Sequence, residues 1–296
     1  MSRQIRSMTP SVETCANFDV LIVGAGFAGM YMLHKCRQLG LSTRVFEVGK
    51  GVGGTWYWNR YPGARCDVES VQYSYQFDTE LEQEWTWSEK YSTQPEILRY
   101  ANHVADRFDL RDNIQFETRV ISAEYSEADK LWVLETDRNE KVSSRYCVFA
   151  TGCLSSSNVP KFEGYETFKG LSYHTGRWPH EGVNFSGLRV GVIGTGSSAI
   201  QSIPEIAKEA SQLTVFQRTA NYTIPARNSE LTEDYVSSIK ADYPGLRERA
   251  RNKPAGYDIP LNSQSVLEVS REDANIEFQR RWELGGTQFL GAVSYT

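Results

Sequence analysis

Two stretches of the chain repeat one pattern of apolar and polar positions. FDVLIVGAGFAGMYML (18–33) and LRVGVIGTGSSAIQSI (188–203) each run from a short apolar block, through a glycine-rich turn, into residues with helical spacing. A short apolar block bounded by turn residues predicts a strand, and apolar residues recurring every three to four positions predict a helix. Each unit leads into another apolar block, STRVFE (42–47) and QLTVFQR (212–218). Strand, turn, helix and strand in succession open an α/β fold with a parallel sheet, so we expect two Rossmann-like dinucleotide-binding domains.

Between the two units, IQFETRV (114–120), LWVLET (131–136) and RYCVFATG (145–152) read as strands, with turns at Lys130 and Asp137–Glu140. Residues 85–110 mix charges with Ile97, Leu98, Tyr100, Val104 and Phe108 and read as helix. Beyond the second unit the pattern changes. Pro225, Pro244, Pro254 and Pro260 punctuate charged helical stretches, and Ser270-Arg271-Glu272-Asp273 resembles a capping box opening a helix to Leu284, stopped by Gly285-Gly286. No third strand comes after 212–218, although a mononucleotide-binding half needs one. The expectation is therefore a second dinucleotide domain that is interrupted, followed by a helical segment, in a truncated chain. Pro204 falls inside the helix after the second turn, where a kink is expected.

The net charge of −5 over 296 residues argues against a nucleic-acid surface. No run of 18 apolar residues offers a membrane-spanning helix, and residues 1–17 lack the apolar core of a secretory signal. Five cysteines (Cys15, Cys36, Cys66, Cys147 and Cys153) form no CxxC pair, and the four histidines are scattered. We expect reduced thiols, no metal site and a cytoplasmic protein.

The glycine turns carry the candidate chemistry. The first is Gly24-Ala25-Gly26-Phe27-Ala28-Gly29; the second is Gly194-Thr195-Gly196-Ser197-Ser198-Ala199. The first glycine allows the tight turn, the second lets backbone approach a pyrophosphate, and the small third residue lets helix pack on strand. The helix N-terminus then faces the anion with its amides. Glu47 lies 23 positions after Gly24, where an acid reads the ribose hydroxyls of FAD or NAD. After the second turn that place holds Gln217-Arg218. A guanidinium there binds a 2′-phosphate that a carboxylate would repel, so the second site should prefer NADP(H). One chain with both sites suggests hydride passing from nicotinamide to flavin. The stretch GVGGTWYWNRYPGARCDVES (51–70) places Arg60, Arg65 and Asp67 among Trp56, Tyr57, Trp58 and Tyr61. Charges inside an aromatic cluster need partners, which favours a lined pocket.

FKGLSYHTGRWP (168–179) matches FxGxxxHxxxWP through Phe168, Gly170, His174, Trp178 and Pro179. With the two turns, GGTWYWNRYPGARCD and FQRT in the same order, the chain resembles the Baeyer–Villiger monooxygenases, class B flavoproteins similar to phenylacetone and cyclohexanone monooxygenases. The resemblance implies an NADPH- and O2-dependent enzyme that converts ketones to esters or lactones through a C4a-peroxyflavin. It assigns FAD to Gly24, Gly26, Phe27, Gly29, Glu47, Gly54, Thr55, Trp56, Asp67, Tyr73 and Val120. It assigns NADPH to Arg65, Gly194, Thr195, Gly196, Ser197, Ser198, Gln201, Arg218 and Thr219. Asp67 and His174 become the catalytic candidates. Asp67 would partner an arginine whose motif this chain does not contain, His174 would link cofactor state to domain position, and Trp178 would pack at the domain interface. The domains are then a flexible leader (1–17), the FAD-binding domain (18–152), a linker bearing the signature (153–186), a partial NADP-binding domain (187–225) and its helical segment (226–296). A flavin N- or S-oxygenase of the same class, or a non-catalytic cofactor-binding remnant, are the alternatives; the Trp178-Pro179 ending speaks against the oxygenase.

Overall fold

The computed structural model describes residues 17–290. The leader up to residue 16, Cys15 within it, and the last six residues lie outside the described part. The first elements are β1 (Asn17–Val23), α1 (Phe27–Gln38), β2 (Thr43–Phe46), α2 (Thr55–Trp58), α3 (Thr79–Glu84) and α4 (Gln94–Arg107). Then come β3 (Ile114–Gln115), β4 (Val120–Ser126), β5 (Leu131–Thr136), β6 (Lys141–Phe149), β7 (Arg189–Ile193), α5 (Ser197–Glu209) and β8 (Gln212–Phe216). Four helices close the order: α6 (Glu233–Ala241), α7 (Tyr243–Arg251), α8 (Arg271–Leu284) and α9 (Thr287–Leu290). The chain divides into two compact units, one comprising the residues up to Trp58 with Ala101–Pro160, the other Asn59–Tyr100 with the residues from Lys161.

The first unit is built on a six-stranded sheet of order β3-β2-β1-β6-β5-β4. The strands β3, β2, β1 and β6 run parallel, and β5 and β4 continue as an antiparallel meander. Successive side chains of β1 point to opposite faces. Val20 and Ile22 join Met30 and Leu33 of α1, Val45, and Ala101 and Ala105 of α4 in one core. Leu21 packs on the other face with Phe46 and Leu134. Burial on both faces explains why β1 ends in the continuous apolar run Val20–Val23 instead of alternating.

Two expectations are corrected here. IQFETRV is not one strand: β3 ends at Gln115 and β4 begins at Val120, at opposite ends of the strand order. Between them Glu117 adopts a left-handed backbone (φ 54°), and the amides of Glu117 and Thr118 donate to the carbonyls of Gly49 and Glu47. Those hydrogen bonds use up the amides that a continuous strand would pair. Nor is 85–110 one helix. α4 starts at Gln94, placing Pro95 in its first turn, where a missing N–H costs nothing. Ahead of it lies the separate helix α3, capped by Asp78.

In the second unit β7 and β8 form a two-stranded parallel sheet, and no further strand joins it among the described residues. α5 runs unbroken through Pro204. Its Ile206 packs with Trp178, Phe185, Val190, Val192 and Leu213. The capping box reads through to structure: Ser270 Oγ accepts the amide of Asp273, and α8 ends at Gly285 (φ 70°). α3 and α7 are joined by a buried ion pair, Arg247 Nε to Glu82 Oε1 at 2.8 Å. Among the described residues no helix is long and apolar enough to cross a membrane, and no three His, Cys, Asp or Glu side chains are grouped to hold a metal ion.

Candidate functional site

In the first unit the chain leaves β1 through Gly24 at φ 103°, a conformation open to glycine. A Cβ on Gly24 would stand 2.6 Å from the Ala150 carbonyl oxygen, and one on Gly29 would overlap the Gly24 carbonyl. The amide of Gly24 donates to Phe46 O at 2.8 Å, which fixes Glu47 just beyond the turn. Glu47 is buried, and its carboxylate accepts the amides of Ala25 and Gly49, each at 2.7 Å and each on a different oxygen. A carboxylate oxygen accepts more than one hydrogen bond, so both retain capacity for ribose hydroxyls. Gly54 (φ 52°) lies so close to the turn that its Cβ would be 2.8 Å from Gly26 Cα. Gly26 and Gly54 thus bring two backbone segments together without an intervening side chain. Thr55 and the buried Trp56 open α2 next to Gly54, and Phe27 packs on the core. Val120 is half-buried at the start of β4, while Asp67 and Tyr73 belong to the second unit.

The second turn repeats the backbone of the first but not its close packing, since a Cβ on Gly194 or Gly196 would meet nothing within 4 Å. Gly194 has φ 99°, and its amide donates to Phe216 O at 2.9 Å. The segment after β8 differs in charge from its counterpart after β2. Arg218 is exposed, with no hydrogen-bond or ion-pair partner among the described residues, and Gln217 turns its amide to Thr219 O at 3.1 Å. Thr195 is held through its carbonyl by Asn221 Nδ2. The helices after the two turns share a further property. α1 and α5 have glycine N-caps, no side-chain cap and no acid in the first turn. α3, α6 and α8 are capped by Asp78, Thr232 and Ser270, and each carries two acids in its first turn. Uncapped amides and the positive end of the helix dipole suit an anionic ligand, and the two glycine-turn helices are left open for one.

Beside the second turn, Gln201 of α5 gathers the loop Tyr61–Asp67. Its Oε1 accepts Tyr61 Oη–H at 2.9 Å and the Arg65 amide at 3.3 Å; its Nε2 donates to Arg65 O at 3.1 Å and Asp67 Oδ1 at 3.0 Å. The Tyr61 hydroxyl is pushed above its ordinary range, chiefly by burial, and so stays a donor. The predicted residues Arg65, Asp67 and Gln201 are thus brought together. The Arg65 guanidinium is turned to Glu89 (3.1 Å) and Tyr91 O (3.2 Å), and Asn228 shares the Glu89 carboxylate. Glu89 and Asn228 were invisible to sequence reasoning because nothing local marks a pairing over 139 positions. Tyr61 carried a signal, as an aromatic within the charged loop. Burial drives the thiol of Cys66, inside that loop, up to about 11.

Within the signature, His174 caps a short 3-10 turn, Thr175–Arg177, its Nδ1 accepting the Gly176 amide at 3.1 Å. A neutral imidazole that accepts at Nδ1 carries its proton on Nε2. Trp178 is buried against Phe185 and Ile206 in the core of the second unit, while Phe168 is largely exposed.

A model of the pyridine nucleotide-disulphide oxidoreductase family matches residues 21–281. The chain is 44% identical to a Baeyer-Villiger monooxygenase of Pseudooceanicola batsensis over 92% of its length, and 42% identical to the phenazine N-monooxygenase PhzNO1 of Lysobacter antibioticus over 93%. It covers 50% and 51% of those proteins, so it spans about half the length of the curated relatives it matches. The solved structure of an oxidized steroid monooxygenase bound to NADP superposes with a TM-score of 0.90 at 55% identity, covering 94% of this chain and 53% of that one. Two glycine turns of matching backbone, a buried glutamate bonded to the first of them, and these likenesses agree: the chain belongs to the pyridine nucleotide-disulphide oxidoreductase family, with Baeyer–Villiger monooxygenases among its homologues.

Proposed function

We propose that this chain carries the FAD and NADPH sites of an O2-dependent flavin monooxygenase that converts ketones to esters or lactones. One observation carries the reading: two turns of the same geometry lead to strand ends of opposite charge, Glu47 buried and Arg218 exposed. Gly24, Gly26, Gly29 and Gly54 leave backbone room for the FAD pyrophosphate, Glu47 takes the ribose, and Phe27, Thr55, Trp56 and Val120 supply the flavin contacts of the first unit. Gly194, Thr195, Gly196, Ser197 and Ser198 cradle the NADPH pyrophosphate, with Gln201 and Arg65 beside it and Arg218 and Thr219 at the 2′-phosphate. Held by these residues, FAD would supply the redox chemistry that couples a reduced nicotinamide to O2. Asp67 presents an exposed carboxylate held by Gln201, suited to orient a cationic side chain. His174, with its proton on Nε2, offers a fixed donor. Likeness to a steroid monooxygenase bound to NADP supports the choice of nucleotide. The four described cysteines are free, which supports a cytoplasmic setting.

The phenazine N-monooxygenase relative favours a second reading, oxygen transfer to nitrogen by the same cofactors, and at 42% identity it weakens the argument from Trp178-Pro179. Product analysis separates the two: a ketone should yield an ester or lactone, and an N-oxide from phenazine with no ester would establish the alternative. The nucleotide assignment is tested by Arg218→Ala. Loss of the guanidinium should weaken NADPH binding by about 10–100-fold and leave NADH nearly unchanged; equal losses in a binding titration would remove Arg218 from the site.

A further inference from the structure

We infer that Gln201 is a positioning residue that locks the loop Tyr61–Asp67 to the first turns of α5, linking order in this loop to occupancy of the second glycine turn. The nucleotide part of this inference rests on the function proposed above. A carboxamide has two acceptor lone pairs and two N–H donors. All four are used here, on Tyr61, the amide and carbonyl of Arg65, and Asp67. Such a set admits one orientation of the amide, because flipping it would oppose donor to donor and acceptor to acceptor. Gly63 (φ 75°) lets the loop backbone lie against the helix, since any Cβ there would collide with the Gln201 carbonyl. Gln201 lies only four residues after Ser197, the first residue of α5, so the loop and an anion at the helix N-terminus would share α5 as one rigid element. Anything that tightens one then tightens the other, by reciprocity of linkage. The charged groups facing the loop are Asp67, Arg65 and Glu205, of which Arg65 is engaged by Glu89, and Glu205 by Lys208.

The loop contains its own reporter, because trypsin cleaves after Arg65 and after Arg60. Gln201→Glu keeps the acceptors for Tyr61 and the Arg65 amide but sets a carboxylate against Asp67 and the Arg65 carbonyl. In the full chain, cleavage after Arg65, followed by mass spectrometry, should accelerate about tenfold or more. Adding Asp67→Asn supplies a donor to the new carboxylate and should bring the rate part of the way back to wild type, the Arg65 carbonyl still facing a carboxylate. Gln201→Met, which keeps the volume and loses all four bonds, should accelerate cleavage even if the glutamate variant does not fold. NADP+ should slow cleavage of the wild type and have little effect on Gln201→Met. Unchanged cleavage in Gln201→Met, or no rescue by Asp67→Asn in a folded Gln201→Glu protein, would overturn the lock. NADP+ that binds by calorimetry without protecting the loop would overturn the linkage and spare the nucleotide reading. Absence of NADP+ binding would sink that reading, and the lock would still stand or fall on the cleavage rates.

Discussion

Glu47 combines two tasks in one buried carboxylate. It accepts two backbone amides, from Ala25 in the glycine turn and from Gly49 in the loop beyond β2. Replacing it with glutamine would set an NH2 group against one of those donors. A lost charge-assisted hydrogen bond with a stranded buried amide costs about 1.5–3 kcal/mol. Glu47→Gln should therefore lower the denaturation free energy by that amount and release FAD more readily, as seen by flavin fluorescence in the filtrate. Cys66 gives a prediction in pH. Burial raises its thiol to about 11, so it remains the unreactive protonated form far into alkali. At pH 8 iodoacetamide should modify the exposed Cys153 in the folded protein and leave Cys66 untouched, with both modified in denaturant; mass spectrometry of the peptides decides. The same shift has a stability consequence. A thiol whose folded value lies above its unfolded one stabilises fully below the ordinary thiol range, and that contribution is lost as the pH rises toward 11.

At the scale of elements, helix N-termini differ in how their amides are met. The helices capped by Asp78, Thr232 and Ser270 satisfy an N-terminal amide internally and need nothing else there. Ser270→Ala should cost about 1 kcal/mol, measured by chemical denaturation, because the amide of Asp273 loses its acceptor. Rescue by Ser270→Asp, another good cap, would show that the cap and not the packing carries the loss. α1 and α5 instead have glycine N-caps with no side-chain cap, which leaves their first amides open to an anion in the proposed sites. Strand ends can instead be set by contacts distant in sequence. Glu117 breaks IQFETRV because its backbone turns left-handed and the neighbouring amides are claimed by the loop after β2.

At the scale of the molecule, the second unit is held by polar contacts distant in sequence. Arg247 and Glu82 are 165 positions apart, both buried, with Ser74 Oγ accepting a second hydrogen bond from the guanidinium. Removing one partner strands a charge indoors. Glu82→Ala should cost about 3–5 kcal/mol by denaturant titration, whereas Glu82→Leu with Arg247→Met should cost far less, since an apolar pair incurs no desolvation. Equal losses in the two proteins would show that volume, not charge, sets the effect.

Local covalent pattern decided the parts of this protein that depend on neighbours in the chain. Both glycine turns, the acid or base after the second strand, the α8 cap at Ser270 and the stop at Gly285 were legible because backbone sterics and capping act within a few residues. Tertiary structure alone decided the rest. Pro95 could start a helix or break one until its surroundings placed it in a first turn, and Trp178 found its place by packing with Ile206. The four contacts of Gln201 and the turning of Arg65 toward Glu89 join residues across long stretches of chain. Such pairings are chosen by which surfaces meet after folding, and the order of residues along the chain carries no mark of that choice.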